Sequence, residues 1–149
     1  MKISSCLENA QRIFLDTAPV IYFVEKNPIY LGKVEIVFKR LDEGRLSAAA
    51  SPVTLSECLV LPLRLGKQDV AQAFIQILSN NITVFFVVIE EQLASRAADL
   101  RARYNLTLVD AFQVAAAIAS ECDAFLTNDE ALKRVTELNV IVLDEVDAG

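Results

Sequence analysis

The sequence contains no histidine, so acid–base or metal chemistry in this chain has to come from other side chains. Histidine-based catalytic triads and zinc sites built on paired histidines are therefore excluded. Carboxylates, lysine, tyrosine or bound water would have to supply the chemistry, and four carboxylates are singled out by their places at the predicted strands and helices: Asp16, Glu57, Asp110 and Asp129. Hard oxygen ligands are those that Mg²⁺ and Mn²⁺ prefer. If the chain is an enzyme, its metal should be magnesium or manganese rather than zinc.

Taken singly, each of these carboxylates has an ordinary structural explanation. Asp16 could cap the helix after it, Glu57 could be a solvated helix residue, and Asp110 and Asp129 could compensate helix dipoles in first turns. Gathered in one cleft, the same groups would repel one another and would need a cation. No lysine or arginine directly flanks any of the four in sequence. The question is therefore whether the fold brings them together.

The elements that would position these carboxylates form repeated strand–helix units. Five short apolar segments predict strands, at residues 12–16, 46–50, 82–88, 124–127 and 140–143. Helices are predicted between them, including one over 130–138 and an apolar helix over 108–119 that should be buried on every side. This alternation predicts an α/β fold, in which a mostly parallel five-stranded sheet lies between helices in three α/β/α layers.

The predicted sheet places all four carboxylates at one edge. Open α/β sheets bind ligands beyond the carboxyl ends of their strands. Asp16 lies at the end of the first predicted strand and Asp129 just past the end of the fourth. Glu57 lies a turn or two into the helix after the second strand, and Asp110 opens the helix over 108–119. Segment 82–88 is the clearest strand, and its near-continuous apolar character predicts burial on both faces. We treat residues 1–149 as one domain with a core over about 12–145, and expect 1–11 and 144–149 to be tails.

Composition limits the possible partners and the compartment. The net charge of −6 and the pI near 4.7 do not suggest a broad nucleic-acid surface. Two bound divalent ions would change −6 to −2, so acidity weakens a nucleic-acid hypothesis without excluding it. No apolar run is long enough to span a membrane, and the first residues do not resemble a signal peptide. We expect a cytoplasmic protein that makes no membrane contact.

The ordered motifs resemble those of the PIN domain, and most of all the VapC-type toxin ribonucleases of prokaryotic toxin–antitoxin pairs. The motifs are Phe14-Leu15-Asp16-Thr17, Ser56-Glu57, Leu108-Val109-Asp110-Ala111 and Leu126-Thr127-Asn128-Asp129, and the resemblance covers about residues 12–145. Val109 departs from the family, because many relatives have proline at that position.

This resemblance implies a Mg²⁺- or Mn²⁺-dependent endoribonuclease that hydrolyses RNA phosphodiesters. Asp16 and Asp110 would be the principal metal ligands, and Glu57 and Asp129 would complete the acidic site. Thr127 or Asn128 would orient a carboxylate or a water.

The resemblance also implies a homodimer and an antitoxin whose segment lies over the cleft. An arginine of that segment could stand in for the positive charge of the metal among the carboxylates. The apolar segment 59–65 and the helix around 29–41 are the expected contact surfaces. The helix predicted before the one over 108–119 carries three arginines that could contact phosphates or form a solvated face: Arg96, Arg101 and Arg103.

Two other enzyme or signalling classes fit less well. Four glycines form no phosphate-binding loop of a nucleotide fold. A phospho-receiver domain should have paired acids on its first strand and a lysine after its fifth, and this sequence has neither. The alternative to a ribonuclease that stays open is a non-catalytic PIN-like module that binds RNA or protein without metal.

Overall fold

The structure, a computed structural model, describes all residues from Met1 to Gly149. Five parallel strands form one sheet in the spatial order β3-β2-β1-β4-β5. The strands are β1 (Arg12–Leu15), β2 (Ser47–Ala50), β3 (Val84–Phe86), β4 (Ala124–Thr127) and β5 (Asn139–Val142). The helices are α1 (Ile3–Cys6), α2 (Thr17–Val24), α3 (Leu31–Asp42), α4 (Pro52–Arg64), α5 (Gln68–Leu78), α6 (Glu91–Tyr104) and α7 (Leu108–Ala119). Two 3₁₀ helices cover Glu130–Arg134 and Leu143–Glu145.

Helices cover both faces of the sheet, which confirms the predicted three-layer α/β/α fold. Successive side chains of a strand point to opposite faces, so Ile13 and Leu15 of β1 enter one core and Phe14 enters the other. The first core packs against α1 to α5, and the second packs against α6 and α7. No helix of the structure is long and apolar enough to cross a membrane.

The central helix α7 is buried only after its first turn. From Ala111 to Ala117 its alanines are fully buried, which allows α6 to pack closely on it. Leu108 and Val109 are 51% and 44% exposed, so the prediction of burial on every side is wrong for this end of the helix. Asp110 therefore lies between the exposed first turn of α7 and its buried part, and is itself partly buried.

Strand β3 differs from the strand predicted over 82–88. It spans three residues and lies at the edge of the sheet, paired only with β2. Ile82 is fully exposed, and Phe85 and Val88 are more than half exposed. Predicted burial on both faces is wrong here because only one face of the strand packs in a core. Val84 belongs to the first core, whereas Phe85 belongs to neither core and has the Arg12 guanidinium over its ring, 5.6 Å from the ring centroid.

The chain termini are not the tails that the sequence suggested. Ile3 and Leu7 are fully buried in the first core, and Val146 is 7% exposed. The two ends pair with each other, because the Ile3 amide donates to the Asp147 carbonyl at 2.8 Å. The helix predicted over 130–138 is also wrong, since a short 3₁₀ helix ends at Arg134.

Candidate metal centre

Asp16 lies at the carboxyl end of β1 and is held by two hydrogen bonds. The Thr17 amide donates to Oδ1 at 2.8 Å, and the Thr127 hydroxyl, at the end of neighbouring β4, donates to Oδ2 at 2.7 Å. Burial raises the pKa of Asp16 from 3.8 to about 6; the two hydrogen bonds oppose this rise, and repulsion from Asp110 and Glu57 adds to it. Asp16 is thus a fixed carboxylate that is unfavourable when charged.

Asp110 stands in the first turn of α7, where Thr107 caps the helix by accepting the Asp110 amide at 3.2 Å. Burial raises the pKa of the Asp110 carboxyl, a hydrogen bond between that carboxyl and the Thr107 side chain lowers it, and the charges of Asp129 and Glu57 raise it again. The charges of Asp110 and Glu57 raise the pKa of Asp16 in the same way. The fold therefore brings the four predicted carboxylates within electrostatic reach at one edge of the sheet.

The other two carboxylates are held by local contacts. Glu57, in the middle of α4, accepts the Thr17 hydroxyl on Oε1 at 2.6 Å. Asp129 caps the first 3₁₀ helix by accepting the Ala131 amide at 3.0 Å, and its own amide donates to Thr127 at 3.1 Å. Asp16 and Asp129 are thus helix caps and members of the cluster at once.

No cationic side chain of the protein neutralises this cluster. The ion pairs of the protein all lie elsewhere, between Lys39 or Arg45 and Glu43, between Arg103 and Asp99 or Glu137, and between Lys133 and Glu145. Four carboxylates at one edge without a basic partner leave an excess of negative charge that a divalent ion would relieve.

The donor set fits a hydrated divalent ion rather than a fully caged one. No three acidic side chains converge closely enough to hold one ion directly. Mg²⁺ is usually held by one or two carboxylates and keeps several of its waters, so direct contact with all four is not required. All the available donors are carboxylate oxygens, which suits Mg²⁺ or Mn²⁺.

The sequence model of the PIN domain family matches residues 13–138, most of the chain. The chain belongs to the PIN domain family. None of the curated proteins matches it in sequence.

Solved structures share the fold at low identity. VapBC2 from Rickettsia felis, bound to a DNA fragment from its promoter, has a TM-score of 0.68 at 17% identity, covering 89% of this chain and 98% of that one. VapC20 from Mycobacterium tuberculosis, a sarcin–ricin loop cleaving toxin, has a TM-score of 0.61 at 20% identity, covering 76% and 86%. A toxin–antitoxin complex from Klebsiella pneumoniae has a TM-score of 0.66 at 20% identity, covering 88% and 97%.

Thr127 and Asn128 were predicted to orient the site, and in this PIN domain only Thr127 contacts one of the four carboxylates. Thr127 is fully buried and bonded to Asp16. The Asn128 side chain instead donates to the Tyr22 hydroxyl at 3.2 Å and accepts the Asp144 amide at 2.9 Å. Asn128 therefore ties the end of β4 to α2 and to the second 3₁₀ helix.

Two of the three arginines considered for phosphate contact already have partners in this PIN domain. Arg103 pairs with Asp99 and Glu137, and Arg101 donates to the Leu106 carbonyl at 2.7 Å. These contacts favour a structural role for that face of α6.

The hydroxyl and amide groups that support the site were not predicted from the sequence. Thr17 contacts Glu57, and Thr54 contacts the Leu15 carbonyl. Ser51 contacts Gln113, which is fully buried within α7. Gln113 could have indicated these contacts, since it is the one side-chain amide in the apolar helix and needs hydrogen-bond partners when buried.

Proposed function

We propose that this PIN domain is a Mg²⁺- or Mn²⁺-dependent endoribonuclease and the toxin of a toxin–antitoxin pair. The observation that carries the proposal is the cluster of Asp16, Glu57, Asp110 and Asp129, which has no basic partner at the carboxyl edge of the sheet. Membership of the PIN family and the likeness of the fold to VapC-type toxins support it. An RNA-cleaving toxin would act in the cytoplasm.

In this proposal the protein holds the carboxylates in place and supplies the negative charge that binds the metal. When bound, the metal would stabilise the negative charge of the phosphoryl oxygens and lower the pKa of a water. Asp16 and Asp110 would be its main ligands, and Glu57 and Asp129 would complete the acidic site. The bonds from Thr17 and Thr127 fix both oxygens of Asp16 and favour its ionised form, which is the form that a metal requires.

The proposed activity predicts cleavage of RNA that depends on a divalent ion. Purified protein should cut a mixed set of structured and single-stranded RNAs at discrete sites in Mn²⁺ or Mg²⁺. EDTA should stop cleavage and excess Mg²⁺ should restore it, because the carboxylates alone have no positive charge to offer the phosphate. Cleavage that continues undiminished in EDTA would contradict the proposal.

The spacing of the carboxylates keeps one alternative function open, a module that binds RNA or protein without metal. It is favoured by the fact that no three acidic side chains converge on one point. Retention of RNA without cleavage, together with no heat of Mn²⁺ binding in calorimetry, would favour this module over the ribonuclease.

We further propose a homodimer and an antitoxin that covers the acidic edge. A groove of about 330 Å³ between α2, α4 and α5 is lined by apolar side chains that include Val24, Leu61 and Leu65. Leu61 and Leu65 are about half exposed, which supports the predicted segment 59–65 as a contact surface. The helix predicted around 29–41 offers less, because α3 buries its apolar residues in the first core: Val34, Val37, Phe38 and Leu41.

The antitoxin and the metal are expected to compete. The test takes the product of a small reading frame beside the gene and measures inhibition of RNA cleavage at rising Mn²⁺. Inhibition should weaken as Mn²⁺ rises, and Leu61→Asp should weaken it without changing cleavage by the free enzyme. Ile82→Asp, at a fully exposed site on the β3 edge, is the matched control. Inhibition indifferent to metal would place the partner elsewhere.

A further inference from the structure

A chain of buried hydrogen bonds lies beneath the carboxylate cluster and joins three elements. The Ser51 hydroxyl donates to Gln113 Oε1 at 2.5 Å, and Gln113 Nε2 donates to the Thr54 hydroxyl at 2.6 Å. Thr54 donates in turn to the Leu15 carbonyl at 3.3 Å. We call these four residues the Gln113 relay. It connects α7, the start of α4 and the end of β1.

The Gln113 relay is unusual for its surroundings. Gln113 and Thr54 are fully inaccessible and Ser51 is 1% exposed, while Gln113 lies in a helix whose other buried residues are alanine and valine. Burial of an amide is unfavourable unless its polar atoms are bonded, and here no buried side-chain polar atom lacks a partner. An apolar residue would fill the same position in α7 without requiring two hydroxyl partners.

Each element joined by the relay carries one of the carboxylates close to the joint. Gln113 is three residues after Asp110 on α7, and Thr54 is three residues before Glu57 on α4. Residues three apart lie on the same face of a helix. Leu15, which accepts the last bond, directly precedes Asp16. A shift of α7 against α4 and β1 would therefore change the spacing among these three carboxylates.

We infer that Gln113 is a positioning residue that sets the spacing of Asp110 relative to Asp16 and Glu57, and so the affinity of the site for a divalent ion. The inference rests on the proposed function. Groups that orient metal ligands without touching the metal typically change its affinity by about 10- to 100-fold when removed. Loss of the relay should have an effect of that order while the carboxylates themselves stay in place.

Calorimetric titration of Mn²⁺ into Gln113→Met tests this inference. Methionine nearly matches the length of glutamine but has no amide, so Ser51 can still accept the Val53 amide and Thr54 can still donate to Leu15. Mn²⁺ binding should weaken roughly tenfold or more, and half-maximal cleavage should need correspondingly more Mn²⁺. Part of the lost rate should return at saturating metal. Circular dichroism in EDTA shows whether the variant is folded before metal is added, because metal binding would also reverse a loss of folded protein.

Ser120→Ala is the matched control on the same helix. Its buried hydroxyl donates to the Ala116 carbonyl at 2.7 Å and lies 3.3 Å from the Ala117 carbonyl, at the far end of α7, so this variant also loses buried hydrogen bonds. It should bind Mn²⁺ as the unsubstituted protein does. If both variants bind Mn²⁺ normally, Gln113 does not position the site, and the inference is overturned.

Thr54→Val tests the relay from α4 if the methionine variant folds poorly. It should weaken Mn²⁺ binding as well. When the methionine variant does fold, the double variant should lose less than the product of the two single effects, because both residues act through one connection. Normal Mn²⁺ affinity in Thr54→Val, or strictly multiplicative losses, would contradict the relay. If the unsubstituted protein fails to bind Mn²⁺, the proposed function itself falls and the inference falls with it.

Discussion

Replacement of Asp110 by asparagine is expected to lower the rate of RNA cleavage by about 10³-fold at saturating Mn²⁺. A bound metal supplies several kcal/mol of charge stabilisation in phosphodiester hydrolysis, and each 1.4 kcal/mol is worth about tenfold in rate. The fold should survive the change, because Thr107 caps α7 through the backbone amide of residue 110, which asparagine retains. The measurement is single-turnover cleavage of one RNA, with circular dichroism to confirm folding.

Asp69→Asn provides the matched control for this prediction. Asp69 also stands in the first turn of a helix, α5, but it is exposed and lies outside the carboxylate cluster. Its replacement should leave cleavage unchanged. If Asp110→Asn cleaves RNA as fast as Asp69→Asn does, the carboxylate of Asp110 takes no part in the reaction, and the assignment of the site is wrong.

The sequence was sufficient for the layers of the fold because those depend on local patterns. Short apolar segments alternate with amphipathic helices, and parallel strands of this kind require helices on both faces. The same pattern puts Asp16 and Asp129 directly after β1 and β4, which are neighbours in the sheet. Glu57 is brought to the same edge because its helix, α4, directly follows β2. Asp110 opens α7, which follows another helix, so its approach to the other carboxylates depends on how α7 packs.

The features that were missed depend on contacts between distant residues. The burial of Ile3 requires the pairing of Lys2 with Asp147, which no local pattern predicts. Segment 82–88 is apolar enough for a central strand, and only the strand order makes β3 an edge. The partners of Gln113 on α4 lie about 60 positions away, so its role could be seen only after α7 was placed beside α4.

Replacement of Asp16 by asparagine should stabilise the metal-free protein at neutral pH. Burial raises the pKa of Asp16 from 3.8 to about 6, so its ionised form is less favourable in the folded protein than in the unfolded chain. Its favourable, protonated contribution is complete below pH 3.8, falls as the pH rises through about 6, and is lost above that. The ionised group therefore costs up to about 3 kcal/mol at pH 7.

Asparagine should recover only part of this free energy, about 1–2 kcal/mol. The asparagine Oδ1 can still accept the Thr17 amide. Its NH₂ group, however, would face the Thr127 hydroxyl, which donates to Asp16 Oδ2 in the unsubstituted protein, so two donors would oppose each other. Urea unfolding in EDTA at pH 4 and pH 7 measures the effect. The variant should be the more stable protein at pH 7, and the advantage should disappear at pH 4, where the carboxyl of the unsubstituted protein is protonated.

Asp123→Asn and added Mn²⁺ separate an electrostatic cause from a structural one. Asp123 accepts the Gln11 and Arg12 amides at the opposite end of β1, so its replacement should give no gain at pH 7. Mn²⁺ should raise the Tm of the unsubstituted protein, as any ligand of the native state does, and should have little effect on Asp16→Asn. If Asp16→Asn is strongly destabilised in EDTA at pH 7, Asp16 is a structural cap of α2, and the metal centre is not where we place it.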